Sequence, residues 1–208
     1  MGDAVSQERL DELWDFDDPA KSQRAFETAL TEVPAGSAAA SILTTQLARA
    51  LGLRGRYSEA DVVLDSIKDP DGALAARVLL ERGRLRNSSG QTDAAVPLFE
   101  AALLIAAAEG ADFLAADAAH MLAIADGDRA AHWTARGLVT VDESTDPRTK
   151  RWAVSLHNNL GWRLVDEGRP AAALAELELA ADAARDYGTP EQQRLAQEAI
   201  DEVRDIVS

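Results

Sequence analysis

The 208-residue chain contains no cysteine, which excludes a disulfide framework, a thiolate nucleophile and cysteine-ligated metal. Aromatic residues make up only 5%, and β-branched residues are scattered, a composition that disfavours a sheet. Basic residues are also scarce: 21 Lys and Arg stand against 36 Asp and Glu, for a formal net charge of −15. That balance opposes contact with nucleic acid or an anionic membrane surface. The longest apolar passage, Ala101 to Ala108, falls far short of the roughly 20 residues of a membrane span. The opening stretch MGDAVSQERLDELWDFDD has no basic region followed by an apolar run, so no signal peptide is readable. A soluble, cytoplasmic protein is the expectation.

Catalytic signatures are missing too. His120, His132 and His157 form no H-x-x-x-H or H-E-x-x-H pair, so zinc has no signature here. The acidic cluster Asp11, Glu12, Asp15, Asp17 and Asp18 lacks the alternating ligands, bend glycine and closing Glu of a calcium loop. No G-x-S-x-G occurs, and Gly52, Gly55 and Gly83 lie in helical stretches rather than in a phosphate loop. The expectation is therefore no cofactor, no metal and no enzymatic activity.

What remains is an apolar supply, 47% of residues, weighted toward the helix formers Ala and Leu. Val5, Leu10, Leu13 and Trp14 share a helical face that ends near Asp17, and Asp18-Pro19 reads as an N-cap with Pro in the first turn. Phe26, Leu30 and Val33 mark a second helix, and Ser37 caps a third. Further helices are predicted over about 37–53, 57–68, 71–87, 91–109, 111–125, 128–141, 148–167, 170–187 and 190–207. The short connections imply antiparallel neighbours. Over 190–207, Leu195, Ala199, Val203 and Ile206 supply one apolar side, as a capping helix requires.

The helix pairs repeat. Gly55, Tyr57, Ala60, Leu64 and Ile67 have the spacing of Gly168, Pro170, Ala173, Leu177 and Ala180. A third copy runs through Gly83, Gly90, Ala95, Phe99 and Ala102, and the weakest through Met121, Asp128 and Trp133. Small residues suit the places where two hairpin backbones come close, and no single hairpin buries both of its faces, so such units must stack. This pattern resembles the tetratricopeptide repeat, in a long-repeat variety, over about 37–187. The fold class expected is all-α: a right-handed superhelical solenoid of antiparallel helix hairpins in a single domain 1–208. Residues 1–36 form an N-terminal helix pair, 37–187 four repeat units and 190–207 the C-terminal cap.

The resemblance further implies that the first helix of each pair lines a concave face. Carried over, those positions are Thr45 and Arg49; Arg77, Leu80, Arg84 and Asn87; Ala115, Ala118 and Leu122; and Ser155, Asn158, Asn159, Trp162 and Asp166. Arg49, Arg77, Arg84, Asn87, Asn158, Asn159 and Trp162 form the candidate partner-binding groove. Arginine forks suit carboxylates, and asparagine amides can hold a peptide backbone. The implied partner is another protein or peptide with an acidic segment. The competing reading of the arginines is pairing with the chain's own acids, Glu81 among them. A structural unit that associates with copies of itself, forming a homo-oligomer, and a small-molecule or peptide sensor in signalling are the alternative functions.

Overall fold

The computed structural model describes residues 5–207, and among them every regular element is helical. Twelve α-helical segments follow one another: α1 Gln7–Leu13, α2 Pro19–Thr31, α3 Ala38–Leu53, α4 Tyr57–Asp65, α5 Gly72–Ser88, α6 Thr92–Ala108, α7 Asp112–Ala125, α8 Ala130–Glu143, α9 Pro147–Lys150, α10 Trp152–Asp166, α11 Pro170–Tyr187 and α12 Pro190–Val207. None of the described helices is long and apolar enough to cross a membrane.

The helix starts follow from local chemistry. The Asp18 carboxylate accepts the Lys21 N–H at 2.9 Å, and the Ser37 hydroxyl accepts the Ala40 N–H at 3.1 Å. The ends follow from glycine. Gly55, Gly90, Gly110 and Gly168 all sit at positive φ. After each, the next N–H reaches back five residues: Arg56 to Leu51, Gln91 to Arg86, Ala111 to Ala106 and Arg169 to Leu164. This is one stop motif used four times, and only glycine enters that conformation without strain.

Two boundaries differ from the sequence expectation. The stretch 148–167 divides at Arg151 into α9 and α10, because Asp146 caps a short first turn of its own. The helix expected from 128 starts at Ala130, after the 3-10 turn Gly127–Arg129. Trp14 also departs from α1. Ser22 Oγ holds the Asp15 backbone, accepting its N–H at 2.7 Å and donating to its carbonyl at 2.8 Å. The Asp15 carboxylate accepts N–H bonds from Asp17 and Asp18. This loop lays the Trp14 ring flat on Phe16 and edge-on to Phe26.

The chain divides into two compact units, Met1–Ile105 and Ala106–Ser208, with the division inside α6. In the first, α2 packs on α3, and α3 on α4 and α5. Leu10, Phe26, Leu43, Leu51, Leu64 and Leu85 form its core. In the second, α7 packs on α8 and α10, α8 on α10, α10 on α11, and α11 on α12. Leu164, Leu177, Ile200 and Val203 join α10, α11 and α12.

The predicted seam positions Ala60, Ala95, Ala173, Leu64, Phe99 and Leu177 are all fully buried. A Cβ on Gly83 would run into the Phe99 ring, and one on Gly161 would lie 2.8 Å from Leu177. Small residues thus occupy close approaches, as the repeat spacing requires. The face of α12 is corrected: Ala196, Ala199, Ile200 and Val203 are its buried residues, while Leu195 and Ile206 are exposed.

Candidate functional site

The predicted groove residues fall into both units. Arg49, Arg77, Arg84 and Asn87 belong to the first, on α3 and α5; Asn158, Asn159 and Trp162 belong to the second, all on α10. Several positions assigned to an open inner face are instead buried: Thr45, Leu80, Ala115, Ala118 and Leu122 expose 1% or less. Thr45, Leu80 and the alanines and leucine of α7 fill the packing of α3, α5 and α7. These five positions therefore offer no exposed surface to a partner.

Two of the arginines make visible contacts with their own chain. Arg84 donates to the Glu81 carboxylate at 2.6 Å, one turn earlier on α5, with side-chain exposures of 12% and 4%. The Arg49 guanidinium lies 5.6 Å from the centres of both the Trp14 and Phe16 rings. Trp14 also donates its indole N–H to Gln46 at 3.0 Å. The aromatic pair after α1 therefore lies against α3 and its arginine. Arg77 and Asn87 are half-buried on α5.

In the second unit, Asn159 and Trp162 line a groove of about 280 Å³ between α7, α8 and α10. Ala123 and Ile124 of α7 and Ala130 of α8 add apolar wall, with Leu160 from α10. Trp162 is half-buried, and it also packs on the core of α10, α11 and α12. Its ring is therefore shared between stack and groove rather than turned wholly away from the neighbouring hairpin. Asn159 Nδ2 donates to His120 Nε2 at 2.8 Å, and Asn159 also lines the groove. His120 in turn packs on Trp152, 5.1 Å between ring centres, and Trp152 on Phe113. The half-buried Asn158 lies beside Asn159 but does not line the groove. His157 Nδ1 shares a hydrogen bond with the Glu176 carboxylate of α11 at 2.7 Å.

The sequence reading missed Thr134. Its hydroxyl is buried in the groove wall on α8 with no hydrogen-bond partner, at 1% exposure. A threonine inside a helix normally returns its hydroxyl to the preceding turn, so the sequence holds no signal that this one does not. Arg163 and Asp166 complete the rim. Arg163 pairs with Glu167 at 3.2 Å, and Glu167 also meets Arg169 at 3.4 Å. Asp166 is exposed and has no ion pair or hydrogen bond among the described residues. No three His, Asp or Glu side chains converge as metal ligands would, among the described residues.

Compared with known proteins, the chain matches no family model, and no curated protein matches it.

Proposed function

We propose that this chain is a non-catalytic protein-interaction module of tetratricopeptide-like helix hairpins stacked as a right-handed solenoid, and that it holds a segment of another protein. The observation that carries the reading is the groove on α10. Asn159 and Trp162, singled out by the repeat register, line one concavity together with Thr134, whose buried hydroxyl has no hydrogen-bond partner. A concavity that joins apolar wall to polar groups at set places is a form that binding sites take, and Trp is prominent among the side chains that anchor partners.

A phage-displayed library of random heptapeptides, selected on the full chain, tests this. Enriched peptides should lose about 2 kcal/mol of affinity, roughly thirtyfold, with Trp162→Ala. Selection of nothing, or binding indifferent to that variant, would remove the reading. Self-association is a second reading, favoured by exposed Leu195 and Ile206, which lie three turns apart on one side of α12. Sedimentation of wild type against Leu195→Glu/Ile206→Glu separates the two, since only self-association predicts an oligomer that the charges dissolve.

A further inference from the structure

The groove has a direction. A Cβ on Gly137 would touch Leu156, and one on Gly127 would touch Arg163. Helices α8 and α10 therefore run antiparallel, with Thr134 level with Asn159, and Arg163 and Asp166 at the opposite end. From Asn159 to Asp166 the helix rises through seven steps, about 10.5 Å. One end thus holds two neutral polar side chains, Thr134 and Asn159. The middle is apolar, with Trp162, Leu160 and Ile124. The far end carries Asp166 without a partner, beside Arg163, which pairs with Glu167.

We infer that the groove takes an extended peptide about three residues long, with its backbone on Thr134 and Asn159, an apolar side chain on Trp162 and a lysine or arginine on Asp166. This rests on the protein-binding reading above and names its partner class. The length fits, since three extended residues span about 10 Å. Leaving the buried Thr134 hydroxyl without a partner is unfavourable, and a peptide N–H or carbonyl that reached it would supply what it lacks. The sign of the charge is set by Asp166 and by a unit in which carboxylates outnumber basic side chains. The acidic partner suggested by the arginines of the first unit is not the partner of this groove.

The test uses the full-length, ¹⁵N-labelled chain and four capped tetrapeptides with central Leu-Lys, Lys-Leu, Leu-norleucine and Leu-Glu. The read-out is the indole N–H signal of Trp162, assigned by its loss in Trp162→Phe. One of the two lysine peptides should shift it saturably, with norleucine at least about tenfold weaker and glutamate weaker still. Asp166→Asn should bring lysine and norleucine within about threefold of each other. Thr134→Val, which keeps the shape, should weaken both. Equal binding of norleucine and lysine, or tighter binding of glutamate, overturns the basic-residue assignment. Undiminished peptide binding by Thr134→Val means that the hydroxyl meets only water, and it overturns the backbone assignment. If the selected library peptides depend on Trp162 yet contain no basic residue, protein binding stands and this inference falls. If no peptide moves the indole signal although the library peptides still require Trp162, the inference falls in the same way.

Discussion

Asp15 shows how one side chain shapes a loop that helical periodicity misplaces. Its carboxylate accepts an ion pair from Lys21 at 2.9 Å and the N–H groups of Asp17 and Asp18. Those bonds, the Lys21 ammonium first, hold its pKa below the ordinary 3.8. A carboxyl with a depressed folded pKa contributes stability that is fully present above the unfolded value and is lost as pH falls through the folded one. The melting-temperature difference between wild type and Asp15→Asn should therefore stay constant above about pH 5 and shrink below about pH 4. A difference that persists into acid would mean that the charge of Asp15 does not organise the loop. The spacing of Val5, Leu10, Leu13 and Trp14 puts Trp14 on a helix. No pattern in the sequence shows that Ser22 and Asp15 lift it off and set its ring on Phe16. Thr134 is hidden for the same reason. Whether a hydroxyl finds a partner depends on neighbours from two other helices. The expected repeat spacing names Trp162 and Asn159, and both line the groove.

At the level of single helices and turns, the signals that could be read are those enforced over short range. Asp18-Pro19 and Ser37 start helices where their side chains can reach the next turn, and they do so here. Gly55, Gly90 and Gly168 end the first helix of their hairpins because the chain there must enter positive φ. The turn between α7 and α8 breaks the series. Asp126 takes the place of the glycine stop and accepts the Trp133 indole N–H at 2.9 Å. This is the hairpin with the weakest repeat match. Glycines in the seam act through sterics instead. Gly168 has open space around it, whereas Gly161 faces Leu177. Gly161→Ala should destabilise by about 1–3 kcal/mol through overpacking. In a Leu177→Ala background most of that effect should vanish, a coupling within the roughly 0.5–3 kcal/mol seen for touching residues. Urea unfolding of the four proteins of this cycle measures it. Additive changes would show that Gly161 is present for a reason other than contact with Leu177.

For the whole chain, periodicity foretells an all-helical protein because each helix must bury a stripe on its neighbours. The division at Ile105–Ala106 is not foretold, since it falls inside the continuous helix α6 and no linker composition marks it. The buried side of α12 is likewise decided by packing, since Ala196 and Ile200 take the place that Leu195 and Ile206 could also have filled. If stability in such an array is a sum of local packing terms, damage at one end should stay local. Ending the chain at Thr189 removes α12, uncovering Leu164 and Leu177. The lost burial of Ile200 and Val203 alone is worth roughly 3–6 kcal/mol. At about 2–4 °C per kcal/mol for a chain of this size, the melting temperature should fall by about 6 °C or more. The Arg204–Glu178 pair, half exposed on both sides, adds little to that loss. Hydrogen exchange should then quicken in α10 and α11 while the amides of α2, α3 and α4 keep their protection. Loss of protection spread evenly over all helices would instead mark a single cooperative fold, in which α12 supports the whole chain rather than the two helices it covers.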